Sequence, residues 1–199
     1  MAETETGANR GAETRQRIVE AAWRVIAEFG IAGLTTRRVA AAAGISHGMC
    51  HYHFQNKDDM VLAVVEYARH YWIHPLEELV DGDSSPAEKL ERVIKWMAEP
   101  ATREIMRVHT QLVSQSEYSD GLRTRMAAEY ARWNAGYVRL FRQLKKARLL
   151  SGDADVKAVG VGFATLADGL VDQQSLNPRV KPETIMRTFL RPVLASKDP

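Results

Sequence analysis

The chain has 199 residues, with 27 Lys and Arg against 25 Asp and Glu, 45% hydrophobic residues and one cysteine. This composition excludes a disordered chain, a disulfide framework and a Cys-based zinc site, and the length allows one or two compact domains. No stretch reaches the roughly 18 apolar residues of a membrane span, and the polar, acidic start is unlike a signal peptide, so we expect a cytoplasmic protein. The net charge of +2 excludes a broad basic surface.

The apolar pattern predicts an all-α fold of about nine helices, because no run alternates convincingly enough for a strand. Residues 1–11 lack apolar side chains and are expected to form a flexible tail. The first helix begins near Thr14, carries an apolar stripe as far as Phe29 and stops at Gly30.

The next segment predicts two short helices joined by a glycine turn. Thr35 or Thr36 can cap the second helix, which Gly44 ends. The third helix covers about Ser46 to Phe54.

Cap signals and prolines define the middle of the chain. A fourth helix follows Asn56, and Pro75 should kink or end it. The run from Ser85 to Glu88 combines a capping box with proline at the first helical position, which predicts the start of a fifth helix. Pro100 separates that helix from a sixth.

Three longer patterns complete the chain. A seventh helix carries large apolar residues from Leu122 to Leu144, and an eighth runs from about 156 to 176 with small residues such as Gly160, which allow another helix to approach closely. The ninth helix follows Pro182 and has apolar residues as far as Leu194.

The distribution of charge is more informative than its sum. Positions 29–57 contain no carboxylate, yet they hold three Lys or Arg residues and three of the six histidines. Two short helices, a glycine turn and an acid-free window match a helix-turn-helix that binds DNA.

The run GLTTRRVAAAAGISHGMCHYHFQNKDDMVLAV, within residues 14–66, resembles the TetR family of transcriptional regulators. The shared features are a threonine, an apolar-Ala pair, Ala-Gly-apolar-Ser, a glycine, an aromatic residue, His-Phe and a lysine at fixed spacings. The chain departs from the most frequent family pattern at His51, where tyrosine is usual, and Tyr52 follows. A subset of the family that includes regulators of betaine metabolism resembles this arrangement.

The resemblance implies a helix-turn-helix domain over 12–57 and an effector-binding and dimerisation domain over 58–199. It implies phosphate contacts at the starts of the second and fourth helices and base contacts from the third helix, and helix N-termini do bind phosphate. The residues expected at DNA are Thr35, Thr36, Arg37, Ser46, His47, Gly48, Met49, His51, Tyr52, His53 and Lys57. With so few cations per subunit, a dimer that reads a palindromic operator is expected, its two recognition helices about 34 Å apart.

Several of these residues have a structural alternative. Arg37 and Arg38 can form an ordinary solvated helix face. His47 and His51, four residues apart, could bind a metal beside Cys50, but Cys50 is expected in the core and we predict no metal site and no cofactor.

The remaining residues have no motif but many large apolar side chains, which suit either a plain core or a ligand pocket with a few polar groups. The pocket candidates are Trp72, Trp96, Met106, His109, Trp133, Tyr137, Phe163 and Asp168. His109 and Asp168 are the polar members, and Asp168 could instead form a structural hydrogen bond beside Gly169.

The resemblance implies a dimer formed by the last two helices of each subunit, whose apolar residues spread too widely for one buried face. We expect an effector in the C-terminal domain to move the fourth helix and so release the DNA. The predicted function is a ligand-responsive regulator, most often a repressor. The alternative is a helical enzyme or small-molecule carrier without specific DNA binding, although no catalytic or nucleotide-binding motif supports an enzyme.

Overall fold

The structure is a computed structural model that describes residues 2–195, with side chains described from Asn9 onward. Within this range the fold is all-α, as predicted, and its only β feature is an isolated bridge between Leu150 and Leu194. The ten α-helices of this range are α1 Ala2–Phe29, α2 Thr36–Ala43, α3 His47–His53, α4 Lys57–Ala68, α5 Ile73–Asp81, α6 Pro86–Ala98, α7 Pro100–Ser116, α8 Asp120–Lys146, α9 Val156–Leu176 and α10 Pro182–Leu190. None of the described helices is long and apolar enough to span a bilayer.

Close contacts divide the chain into two compact units. Within the described residues, the first unit comprises residues 2–69 together with 108–126, and the second comprises residues 70–107 together with 127–195. In the first, α1 packs against α2 and α4, and α2 packs against α3. In the second, α6 packs against α5, α9 and α10. The domain boundary expected between residues 57 and 58 stays a prediction, since compact units and functional domains need not coincide.

Helix α1 begins at Ala2, well before the expected start near Thr14. Apolar periodicity could not place this start, because the preceding residues carry no apolar stripe. The expected flexibility of residues 1–11 concerns motion and stays a prediction. Phe29 was expected on the buried stripe, but its side chain is half-exposed and lies under the Arg38 guanidinium, 4.5 Å from the ring centroid.

The predicted caps are confirmed. The Ser85 hydroxyl accepts a hydrogen bond from the Glu88 N–H, and the Glu88 carboxylate accepts one from the Ser85 N–H, which completes the capping box of α6. Asn56, after which the fourth helix was expected to begin, also acts as a cap of α4 by accepting from the Asp59 N–H at 2.8 Å. These bonds satisfy N–H groups that have no partner inside the helix.

The expected role of Pro75 was wrong. Helix α4 ends at Ala68, the turn over residues 69–72 follows, and Pro75 lies in the first turn of the separate helix α5. Proline is tolerated in a first helical turn because the N–H groups there have no intrahelical acceptor. The chain therefore contains one helix more than the sequence pattern predicts.

The small residues of α9 have the expected effect. A Cβ atom added at Gly160 would lie 2.9 Å from the Val138 Cα atom, so α9 approaches the backbone of α8 closely at this point. The last helix is shorter than predicted, because α10 ends at Leu190 and the chain then turns. Leu194 instead forms the bridge to Leu150, where the Ala195 N–H donates to the Leu149 carbonyl at 3.0 Å.

Candidate DNA-binding surface and effector site

Two side-chain caps and one glycine shape the helix-turn-helix. The Thr35 hydroxyl accepts from the Arg38 N–H at the start of α2, and the Ser46 hydroxyl accepts from the Met49 N–H at the start of α3, both at 3.2 Å. Between them Gly44 has φ +64°, a left-handed conformation that costs glycine little. This turn places α3 against α2 with its outer face open to solvent.

One face of α3 is exposed and the other is buried. Tyr52 is 81% exposed, while Cys50 and Phe54 are buried in the core of the first unit. Burial also raises the pKa of the Cys50 thiol. We call the outer face the recognition surface; its exposed members on α3 are His47, Gly48, Met49, His51 and Tyr52, and His53 at its edge is half-buried. A Cβ atom added at Gly48 would meet no atom within 4 Å, so backbone here is open to a large partner.

Three polar groups converge where α2 meets α3. The Thr36 hydroxyl oxygen lies 2.9 Å from His47 Nε2 and 3.5 Å from His51 Nε2. The two Nε2 atoms are 3.2 Å apart, and the rings meet edge to face. The sequence placed the histidines one turn apart, but the contact with Thr36 depends on how the two helices pack.

The cations of the acid-free window have different surroundings. Arg37 is exposed on α2. Arg38 donates to the Gly33 carbonyl at 2.6 Å, and Lys57 Nζ donates to the Ile31 carbonyl at 2.7 Å. Lys57 has three N–H donors, so two stay available for phosphate and its predicted contact stays a prediction.

Sequence reasoning missed two supports of the turn. Arg17 and Arg24 of α1 donate to the Ala43 and Ala42 carbonyls, at 2.7 Å and 3.4 Å, and so satisfy carbonyl groups at the end of α2. A positively charged side chain near a helix C-terminus stabilises the helix, because the dipole has its negative end there. The sequence indicates only that Arg17 and Arg24 lie on the polar side of α1. This position does not identify the helix end that they contact.

The second unit contains a continuous row of aromatic rings, which we call the aromatic cluster. Its ring centroids are separated by 6.0 Å, 5.0 Å, 5.5 Å and 5.5 Å along the row. In order, the rings belong to Trp96, Trp133, Tyr137, Phe163 and Phe141. Four of these five residues were predicted for the pocket, and residues from α6, α8 and α9 are thereby brought together.

A carboxyl group faces this cluster. Burial, as the main cause, and repulsion from Asp172, as the second, raise the pKa of Asp168 to about 7. The Trp133 indole N–H partly offsets this rise, yet it makes no well-formed hydrogen bond to any described residue, and neither does the Tyr137 hydroxyl. The Trp133 N–H therefore lies near the Asp168 carboxyl group without a hydrogen bond of normal geometry, and the Tyr137 hydroxyl lacks the partner that buried polar atoms normally have.

Tyr130 is a further neighbour of Asp168 that sequence reasoning assigned only to the apolar stripe of α8. Burial and the nearby Asp168 and Asp172 carboxyl groups raise its pKa to about 12. Burial and Asp168 also raise the pKa of Tyr137 well above its ordinary value. The spacing of Tyr130 from Trp133 along α8 indicated that the two side chains lie on the same side of the helix. Only the packing of α9 against α8 shows that both are near the Asp168 carboxyl group.

The other predicted pocket residues are placed separately. Trp72 and Met106 are buried in the second unit. His109 belongs to the first unit, where burial lowers its pKa to about 4, so its imidazole is neutral at physiological pH. Of the two polar candidates, Asp168 is the one that joins the aromatic cluster.

Comparisons with known proteins agree on one family. Residues 18–64 match the bacterial regulatory proteins of the tetR family, and residues 86–197 match the C-terminal domain of BetI-type transcriptional repressors. The chain is 26% identical to the transcriptional regulator PksA of Bacillus subtilis over 180 residues, covering 90% of this chain and 87% of that protein. It is also 26% identical to the regulator BetI of Rhizobium meliloti over 164 residues, or 81% and 78% of the two chains.

A solved structure shows the same fold. The transcriptional regulator of Saccharomonospora viridis, crystallised in complex with choline, superposes with a TM-score of 0.84 at 23% identity and covers 93% of this chain and 100% of that one. The two family models, which together match most of the chain, identify a transcriptional regulator and not the enzyme or carrier that was the alternative. The chain belongs to the TetR family and is a helix-turn-helix transcriptional regulator with a BetI-type C-terminal domain.

Proposed function

We propose that this protein is a cytoplasmic, homodimeric repressor that binds palindromic operator DNA and is released by a compact organic cation. The observation that carries the first half is the recognition surface: an exposed tyrosine, exposed histidines and open backbone on a capped helix within an acid-free segment. Exposed Tyr and His side chains can donate to base edges or phosphates, and the starts of α2 and α4 present free N–H groups to phosphate.

Dimerisation would supply the affinity that one small surface lacks. The last two described helices expose large apolar side chains, with Ile185 39% and Phe189 40% exposed on α10 and Leu176 exposed at the end of α9. Ile185 and Phe189, four residues apart, are neighbours on the surface of α10, and exposed apolar patches mark interaction sites. We infer that α9 and α10 pack against the same helices of a second copy, which sets the spacing between two recognition surfaces.

The aromatic cluster and Asp168 suit a positively charged effector. Aromatic faces attract organic cations, and a carboxylate removed from water gains most from a cationic partner. The Tyr137 hydroxyl, which has no hydrogen-bond partner among the described residues, would bind a polar group of the same ligand. The structural relative crystallised with choline supports this class of effector, since choline combines a quaternary ammonium with a hydroxyl group.

Release would follow from a difference in effector affinity between two states of the dimer. Lys57 begins α4, and its bond to the Ile31 carbonyl links that helix to the loop before α2. We propose that effector binding changes the position of α4 and hence the separation of the two recognition surfaces. The effector must therefore bind the DNA-free state more tightly.

Operator selection followed by a gel shift tests the proposal. Genomic fragments bound by the purified protein would supply the operator, which we expect to be palindromic. Choline should weaken the operator complex, whereas its neutral analogue, with carbon in place of the ammonium nitrogen, should not. No sequence-specific fragment would contradict the repressor assignment. Equal effects of choline and the neutral analogue would contradict the cation assignment, and unchanged operator affinity at saturating choline would contradict the release mechanism.

A further inference from the structure

The convergence of Thr36, His47 and His51 has a geometry that hydrogen bonding alone does not require. Three donor atoms, one hydroxyl oxygen and two Nε2 nitrogens, form a triangle with sides of 2.9, 3.2 and 3.5 Å. His47 and His51 are exposed on α3, and Thr36 is half-buried on α2. An ion from solvent could therefore reach all three atoms.

The separation of the two nitrogens fits a shared metal ion. Two imidazole nitrogens bound at about 2.0–2.1 Å to one ion, at angles between octahedral and tetrahedral, lie about 2.8–3.4 Å apart. The observed 3.2 Å falls inside this interval, as does the 2.9 Å between Thr36 and His47, while the 3.5 Å between Thr36 and His51 lies just outside it. The side chains would need little rearrangement to accept an ion.

The donor types indicate which ions would bind. Neutral imidazoles suit zinc, copper and nickel, whereas calcium and magnesium prefer oxygen ligands. No group of three His, Cys, Asp or Glu residues gathers anywhere in the described part of the chain, so this would be an open site. Water would complete the coordination.

We propose that His47 and His51, with Thr36 beside them, bind one divalent transition metal ion of the zinc class on the recognition surface. The ion would join α2 to α3 and occupy the nitrogen lone pairs of two imidazoles. If the proposed function holds, the same imidazoles face DNA, so metal binding and operator binding compete. The earlier expectation that this surface binds no metal is replaced by this proposal.

A zinc titration of the full chain by calorimetry, near neutral pH in a non-coordinating buffer, tests the site. We expect one ion per chain, with affinity reduced in His47→Gln and His51→Gln by at least about tenfold, as much as loss of an outer-shell partner costs. A matched control is His74→Gln, because His70 and His74 form a second pair with ring centroids 4.9 Å apart. This control should bind zinc at the recognition surface as tightly as the unchanged chain.

Two results of the titration would overturn the site: no zinc binding below millimolar concentration, or binding lost in His74→Gln but retained in His51→Gln. A gel shift with zinc then tests competition separately. Weaker operator binding in zinc, reversed by a chelator and retained in His74→Gln, would support it. Unchanged operator affinity at zinc saturation would overturn competition while leaving the site intact. A chain that binds zinc but no operator would instead contradict the proposed function.

Discussion

The recognition surface and the aromatic cluster use similar side chains in opposite environments. Tyr52 is fully available to solvent on α3, whereas Tyr137 is completely buried on α8 with no hydrogen-bond partner for its hydroxyl among the described residues. The first is built from consecutive residues of one helix, and the second from residues of three helices far apart in sequence. An exposed polar group costs little stability until a partner arrives, but a buried unpaired one costs stability at all times.

This contrast separates two ways of forming a binding site. On the recognition surface, substitutions should change DNA affinity and leave stability alone. In the aromatic cluster, they should change stability and effector affinity in opposite directions. The following predictions test that separation, beginning with the largest expected effect.

Tyr52→Ala should reduce specific operator affinity by about 30-fold or more, because each dimer loses two groove contacts worth about 1–3 kcal/mol each. The melting temperature and the dimer should not change, since the side chain contributes almost nothing to the core. Fluorescence anisotropy with labelled operator measures the effect. Tyr118→Ala is the matched control, because Tyr118 is 83% exposed outside the helix-turn-helix. Retained affinity in Tyr52→Ala would contradict the recognition surface.

Asp168→Asn should weaken choline binding by about 30-fold or more, because removal of one partner from a desolvated charge pair costs about 2–5 kcal/mol. Since Asp168 has a pKa of about 7, its ionised fraction grows as pH rises through that value, and choline affinity of the unchanged chain should rise with it. The variant should lose this pH dependence. Calorimetry measures both effects. In Asp172→Asn, one turn further along α9, the pH dependence should persist but move to lower pH, because repulsion from Asp172 contributes to the raised pKa of Asp168. A pH dependence that survives in Asp168→Asn would assign it to another group.

Tyr137→Phe should stabilise the effector-free protein by about 1 kcal/mol, because it removes a buried hydroxyl whose lack of a partner costs about 1–3 kcal/mol. The same change should weaken effector binding. Chemical denaturation with and without choline measures both, and Tyr118→Phe should change neither. A loss of stability in Tyr137→Phe would show that the hydroxyl has a partner after all.

Arg37→Gln should weaken binding to specific and non-specific DNA alike and lower the salt dependence of log affinity by about two per dimer, as expected for one phosphate contact in each subunit. Its neighbour is the comparison. Arg38 donates to the Gly33 carbonyl, so Arg38→Gln should lower the melting temperature and leave the salt dependence unchanged. The reverse pattern would exchange the roles of the two arginines.

Short-range sequence signals allowed the helices of the helix-turn-helix to be predicted. Capping and turn residues act on N–H groups a few positions away, so Thr35, Gly44 and Ser46 predicted α2 and α3 almost to the residue. The prediction that Pro75 kinks or ends the fourth helix was wrong because proline occurs both at the ends and in the first turns of helices. Apolar periodicity alone does not distinguish these two positions. The predicted end of α10 was wrong because Leu194 pairs with Leu150 in an isolated bridge, which is a contact between residues far apart in sequence.

The effector site could be predicted only in part for the same reason. Asp168 stood out as a carboxyl group in an apolar stretch, and the aromatic residues of α8 stood out by size. Their relation depends on the close approach of α8 and α9 at Gly160, which no single helix encodes. Tyr130 was therefore missed, and His109 was grouped with residues of the other unit.

Cys50 provides this protein with a natural probe of the opening of its helix-turn-helix. It is the single thiol of the chain, and it is fully buried on the inner face of α3. A thiol reagent can reach it only when α3 separates from the core, so the rate of its modification measures the opening of that helix without any introduced label. Operator DNA, zinc and an effector would each change the rate of Cys50 modification if they stabilise or destabilise the packing of α3. The three ligands could therefore be compared by this single rate.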